Sequence, residues 1–121
     1  MDLIPLFEHT SEQQSLTAGN VIFREGDPGT TMYVLLEGEV DIQIHGSTLY
    51  TARPGDFFGE MALIESRERS ATAIAKTACR LAPVSERRFL FMVEQTPYFS
   101  LHVMRVLVER LRKADKQISL A

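Results

Sequence analysis

The distribution of glycine constrains the fold of this chain more than any other feature. All seven glycines lie between residues 19 and 59, and each falls at a break between short apolar runs. These runs read VIFRE, MYVLLE, EVDIQI, TLYTA and DFF, and the runs ATAIA and CRLAPV follow beyond residue 70. Because glycine permits the positive φ angles of tight turns, this alternation of glycines and short apolar runs predicts many short strands.

The run EVDIQIH has the pattern of a half-buried strand. Val40, Ile42 and Ile44 alternate with polar residues, so one face is apolar and the other is hydrophilic. Short strands joined by close turns are typical of small antiparallel sandwiches and barrels. We therefore predict a mainly β fold within a single domain, residues 1–121, with a barrel over about 14–84.

The C-terminal third has helical patterning instead. Ser85 is a good N-cap and Glu86 suits the first turn of a helix. The Thr96-Pro97 pair interrupts the helix because proline cannot continue it. The pattern predicts two helices, at about 86–95 and 98–118.

The last predicted helix carries an apolar stripe in steps of three and four residues. Its members are Met104, Leu107, Leu111, Ala114 and Ile118. A second group, Phe99, Val103 and Val106, is enough to dock the helix on the barrel. The first stripe either packs on the same barrel or forms a two-helix seam, and we predict a weak homodimer through this helix.

Charge and cysteine content exclude several classes of protein. The chain has a net charge of -3; residues 1–98 carry 8 basic and 14 acidic side chains, and residues 99–121 carry 5 and 2. A duplex nucleic acid is therefore an unsuitable main partner. The lone Cys79 excludes an internal disulfide, and the apolar runs are too short for a signal peptide or a membrane span. We expect a cytoplasmic protein without a membrane segment.

The segment FFGEMALIESRERSATA, residues 57–73, carries the candidate chemistry. A strand predicted to end at Phe58 meets Gly59, which lets the backbone approach another group closely. The following residues suit one helical turn with outward N–H groups, and Glu60 at its start can accept a hydrogen bond from a sugar hydroxyl.

Arg69 follows shortly afterwards in the sequence, at the start of a predicted apolar strand. Its guanidinium can hold a phosphate by a forked, charge-assisted contact. The small residues Ser70 and Ala71 beside it leave space for a ligand. An acceptor, a cation and a cradle of N–H groups together suit a sugar phosphate.

FGEMAL followed by RSATA resembles the phosphate-binding cassette of cyclic nucleotide-binding domains. IPLF, AGNVIFREGDPG and MYVLLEGEVDI resemble earlier parts of the same domain, so the similarity covers nearly the whole chain. The resemblance implies an eight-stranded antiparallel jelly-roll barrel (a double-stranded β-helix, cupin-like) with flanking N- and C-terminal helices. It further implies a non-catalytic sensor that binds cyclic AMP or cyclic GMP as a ligand and requires no cofactor.

The resemblance also implies roles for individual residues. Glu60 matches the residue that binds the ribose 2′-hydroxyl, and Arg69 matches the partner of the cyclic phosphate. The full set of ligand-binding residues expected is Gly59, Glu60, Met61, Ala62, Arg69, Ser70 and Ala71. In this family ligand binding draws the cassette inward and moves the C-terminal helices, which act on an effector; the effector here is unknown, and we expect no DNA-binding domain in this chain.

Two other classes of function are alternatives to a cyclic nucleotide sensor. A cupin-type metal enzyme needs clustered histidines on the barrel strands, whereas His9, His45 and His102 fall on different elements. We therefore predict no metal site, no catalytic residues and no enzyme. A protein-interaction module that keeps the cassette without using a nucleotide remains an alternative.

Overall fold

The structure is a computed structural model that describes the backbone of residues 1–119 and the side chains of residues 1–115. The described chain contains four helices and eight strands. In order they are α1 (Ile4–Phe7), β1 (Gln14–Leu16), β2 (Val21–Phe23), β3 (Met32–Glu37), β4 (Val40–Ile44), β5 (Ser47–Ala52), β6 (Phe57–Phe58), α2 (Glu60–Glu65), β7 (Thr72–Ala75), β8 (Cys79–Val84), α3 (Glu86–Gln95) and α4 (Tyr98–Ser119). The chain divides into two compact units, residues 2–87 and the part from Arg88 onward together with Met1.

The first unit contains two four-stranded antiparallel sheets. The strand order is β1-β8-β3-β6 in one sheet and β2-β7-β4-β5 in the other. The prediction of a mainly β fold with eight antiparallel strands and flanking helices is confirmed. Each strand of the first half pairs with one of the second half, β1 with β8, β2 with β7, β3 with β6 and β4 with β5.

The main hydrophobic core of this unit draws on both sheets. One sheet contributes Leu35, Phe58, Cys79 and Leu81; the other contributes Phe23, Val40, Ile42, Ala52, Ala73 and Ala75. Strand β4 shows why the alternation was informative, because Val40 and Ile42 are buried while Asp41 and Gln43 are only half-buried. The predicted inward face of this strand is confirmed at Val40 and Ile42, whereas Ile44 at the end of the strand is half-buried.

Strand β1 has no apolar run of its own. Gln14 and Ser15 are exposed, and the strand is held by antiparallel pairing with Leu81, Arg80 and Cys79 of β8. Sequence patterning did not mark it as a separate run, because an edge strand with one half-buried residue has little hydrophobic signal.

The second unit contains α3 from Arg88 onward and the long helix α4. The rings of Phe89 and Phe99 meet edge to face, with centroids 5.3 Å apart. Phe99 and Val103 are buried, in line with the sequence analysis, and Val106 is half-buried. No helix among the described residues is long and apolar enough to cross a lipid bilayer.

The exposed stripe on α4 differs from the predicted one. The exposed large apolar residues of this helix are Tyr98, Leu101, Met104, Val108 and Leu111, whereas Leu107 is half-buried. Leu107 was assigned to the stripe because several sets of residues on one wide apolar face satisfy the same spacing. Ala114 is exposed, and the side chain of Ile118 lies outside the described residues.

Candidate functional site

The turn between β6 and α2 forms one wall of the candidate site. Gly59 stands before α2 with φ 77° and ψ 11°, a left-handed conformation that glycine adopts at little cost. A Cβ at this position would lie 2.9 Å from Arg69 Nη1 and 3.2 Å from Cε2 of Phe23. Both the backbone conformation and the close approach of these side chains therefore require glycine.

The backbone of Arg69 is fixed by the loop that follows β2. Its N–H donates to the carbonyl of Asp27, and its carbonyl accepts from the N–H of Gly26, each at 2.8 Å. These reciprocal bonds align Arg69 with the β2–β3 loop, although 42 residues separate Asp27 from Arg69 along the chain. The loop that contains Asp27, Pro28 and Gly29 therefore also places the arginine.

The Arg69 side chain is directed into the unit rather than into solvent. Arg69 is only 5% exposed, and its Nη1 donates to the carbonyl of Gly59 at 3.1 Å. The guanidinium carbon lies 4.1 Å from the ring centroid of Phe23 and 5.9 Å from that of Tyr33. Among the side chains that the structure describes, none forms an ion pair with Arg69.

The electrostatics of Arg69 follow from its burial. Desolvation lowers the pKa of the guanidinium, and the nearby Tyr33 and Asp27 partly offset that shift. Arginine titrates so far above neutrality that the group stays charged. A buried charge without an ion pair is costly, and pairing with an anion would offset that cost.

The remaining predicted residues lie around this arginine or on α2. Glu60 is buried at 6% exposure, and Ala62 is also buried, whereas Met61 is exposed. Ser70 is exposed, and its hydroxyl donates to the sulfur of Met61 at 3.4 Å, which links the two ends of the segment. Ala71 is half-buried and packs against the core. The structure brings Gly59 into contact with Arg69, and Met61 into contact with Ser70.

Three residues near the guanidinium were not predicted as site residues. They are Phe23 and Tyr33, whose rings stack with centroids 6.2 Å apart, and Gly29, whose backbone borders the guanidinium. Phe23 and Tyr33 appeared only as members of apolar strands, and Gly29 only as a turn residue. Their common location is a tertiary contact that no local pattern reports.

Comparison with known proteins agrees with this geometry. The family model of the cyclic nucleotide-binding domain matches residues 13–96. The chain belongs to this family. The Cyclic AMP receptor protein of Thermus thermophilus is 33% identical over an alignment that covers 84% of this chain and 50% of that protein.

Solved structures of the family give the same assignment. The Thermus thermophilus Catabolite Activator Protein superposes with a TM-score of 0.81 at 31% identity, covering 90% of this chain and 54% of that one. A structure described with a cyclic-GMP-dependent signalling pathway of bacterial phytopathogenesis superposes with a TM-score of 0.73 at 29% identity, covering 84% of each chain. The chain spans about half the length of the cyclic AMP receptor protein that it matches.

Proposed function

We propose that this cyclic nucleotide-binding domain is a non-catalytic sensor that binds cyclic AMP or cyclic GMP reversibly through residues 59–71. The observation that carries the proposal is Arg69, a buried guanidinium without an ion pair among the described side chains, beside the Gly59 turn. The cyclic phosphate is the anion that pairs with it. The names of the matched relatives support the same class of ligand.

The other residues of the segment complete the proposed site. The Glu60 carboxylate accepts a hydrogen bond from the ribose 2′-hydroxyl. The backbone N–H groups at Gly59, Met61 and Ala62 donate hydrogen bonds to the phosphate. Ser70 and Ala71 leave room beside the phosphate, and the Ser70 hydroxyl can exchange its weak sulfur acceptor for a ligand atom. These roles are inferred from the family's cassette.

Isothermal titration with cyclic AMP, cyclic GMP and noncyclic 5′-AMP tests the function directly. We expect at least one cyclic nucleotide to bind and 5′-AMP to bind far more weakly. A noncyclic monophosphate carries a charge of about -1.5 to -2, which the buried Arg69 guanidinium compensates poorly, whereas a cyclic phosphate carries one negative charge. Absence of heat with both cyclic nucleotides would contradict the proposal.

Discrimination between the two cyclic nucleotides is expected to be modest. Ser70 offers one hydroxyl near the phosphate, and one such hydrogen bond contributes about 0.5–1.5 kcal/mol, which corresponds to about tenfold or less in affinity. We expect a slightly higher affinity for cyclic AMP than for cyclic GMP. The ratio of the two dissociation constants, measured for the chain and for Ser70→Ala, checks this expectation, and a preference of about a thousandfold would reveal a further base-reading residue.

The strand pairing supports a more specific description of the barrel. Pairing β1 with β8, β2 with β7, β3 with β6 and β4 with β5 is what results when one long antiparallel hairpin is rolled up. Such a path, divided between two sheets, is that of a jelly roll. We therefore propose the jelly-roll, or double-stranded β-helix, form for residues 14–84 and retain the single-domain assignment as a prediction.

The signalling step is also a proposal. Ligand binding at α2 is proposed to alter the arrangement of the C-terminal helices, which then act on an effector that is not identified. Such a change follows only if the ligand binds one arrangement more tightly than the other. The comparisons give no support to a cupin-type enzyme or to a module that leaves its cassette unused. A cytoplasmic location stays a prediction.

Helix α4 supports the proposal of a weak homodimer. Leu101, Met104, Val108 and Leu111 are exposed and recur in steps of three, four and three residues, the spacing of a two-helix seam. We expect the chain to associate at high concentration and Leu111→Glu to abolish the association, because a carboxylate there places a charge in the seam.

Sedimentation with and without cyclic nucleotide measures this association. Lys113→Glu is the matched control, because position 113 points away from the seam and its side chain is exposed. A strict monomer in every condition, indistinguishable between the chain and Leu111→Glu, would contradict the proposed homodimer.

A further inference from the structure

We propose that Phe23 and Gly29 are positioning residues that hold the Arg69 guanidinium ready for the phosphate. This inference rests on the function proposed above. The Phe23 ring, the Gly29 backbone and the Gly59 carbonyl together form what we call the arginine cradle. Each member limits a different movement of the guanidinium.

The Phe23 ring gives the guanidinium a flat surface to stack on. The 4.1 Å between the guanidinium carbon and the ring centroid lies well within the range of a cation–π contact, which is about 6 Å. Phe23 itself is held by Phe58 and Tyr33, whose ring centroids lie 6.1 and 6.2 Å away. The ring is therefore a rigid support for the arginine.

Gly29 provides space that no other residue would leave. A Cβ at Gly29 would lie 2.3 Å from Nε, 2.6 Å from Cζ and 2.8 Å from Nη2 of Arg69, which are its three nearest atoms. Gly29 is not among the glycines with positive φ, so alanine would not be forced into a left-handed conformation there. A methyl group at this position would act on the structure mainly by displacing the Arg69 guanidinium.

Fixing the guanidinium in advance has a direct effect on binding. An arginine side chain loses about 2 kcal/mol of rotamer entropy when it is immobilised. A cradle that immobilises it during folding removes that cost from the binding step. The planar guanidinium also explains the choice of arginine here, because the ammonium of lysine has no flat face to lie on Phe23.

Isothermal titration of the full chain with cyclic AMP and cyclic GMP tests the cradle. We expect Gly29→Ala to weaken binding of the better ligand about tenfold or more, with little change in the midpoint of urea unfolding. Phe23→Leu should weaken binding about threefold to thirtyfold, the range of cation–π contributions, and should also lower stability because Phe23 is a core residue. Phe7→Leu, a buried phenylalanine on α1, controls for stability loss alone and should keep the affinity of the original chain.

A mutant cycle separates positioning from general packing. In an Arg69→Lys background, Gly29→Ala and Phe23→Leu should change the affinity by less than about threefold, because the group that they position is gone. Equal losses in both backgrounds, or a Gly29→Ala variant that binds as well as the original chain, would overturn the positioning role and leave the proposed function standing. If the original chain binds neither cyclic nucleotide, the proposed function fails and the inference fails with it.

Discussion

Replacing Arg69 with alanine is expected to weaken cyclic nucleotide binding by about thirtyfold to a thousandfold. Charge-assisted hydrogen bonds contribute about 1.5–3 kcal/mol each, and loss of the forked contact should cost about 2–4 kcal/mol of binding. Folding should be little affected, because the substitution also removes a buried charge that has no ion-pair partner among the described side chains. Isothermal titration gives the affinity, and urea unfolding gives the stability of the same samples.

The controls for this experiment come from the same segment. Arg67→Ala removes an equal charge, but Arg67 is exposed and lies 3.8 Å from the carboxylate of Glu65, so binding should change by less than about twofold. Arg69→Lys should recover only part of the affinity, because an ammonium lacks the fork. Glu60→Gln should weaken binding less than Arg69→Ala, since an amide still accepts from a hydroxyl. Unchanged affinity in Arg69→Ala would contradict the assignment of the site.

Replacing Gly38 with alanine is expected to give a large loss of stability. Gly38 lies between β3 and β4 with φ 86°, and a Cβ there would lie 2.2 Å from the carbonyl oxygen of Ala78 and 2.7 Å from Cβ of Cys79. The obstructing atoms belong to Cys79, the first residue of β8, and to Ala78 just before it, and β8 pairs with both β1 and β3. A left-handed alanine costs about 1–2 kcal/mol and forced overpacking about 1–3 kcal/mol, so we expect a loss of about 2–5 kcal/mol.

Gly46→Ala is the matched control for Gly38→Ala. Gly46 has φ 80° in the turn between β4 and β5, and a Cβ there would meet nothing within 4 Å. This variant carries the backbone strain of about 1–2 kcal/mol without the steric clash. Urea unfolding of both variants measures the difference, and equal losses would show that β8 moves aside easily.

Much of the fold is readable from local pattern. The glycines between residues 19 and 59 end the short apolar runs, and the alternation over residues 40–43 correctly identifies the inward face of β4. The helices begin at Glu86 and Tyr98, as Ser85 and the Thr96-Pro97 break indicate. These features are local, because turn conformation, strand alternation and helix capping depend on residues close together in the chain.

The candidate site is only partly local. Gly59 and Arg69 were identified by their residue types and spacing, which resemble the family's cassette, and their contact distance of 3.1 Å comes from the structure. The exposed stripe on α4 was assigned incorrectly at Leu107, since helical periodicity gives the spacing of a face and not which part of a wide face is covered.

The sequence by itself determined the short apolar strands from β2 onward, the two C-terminal helices and the residue types of the candidate site. Only the tertiary structure decided the pairing of β1 with β8 and the burial of Arg69 against Phe23 and Gly29. The physical reason is the separation along the chain over which each kind of interaction acts. Turn and capping preferences act over a few residues, whereas Phe23, Gly29 and Arg69 meet only after the sheets have brought distant segments together and excluded water from between them.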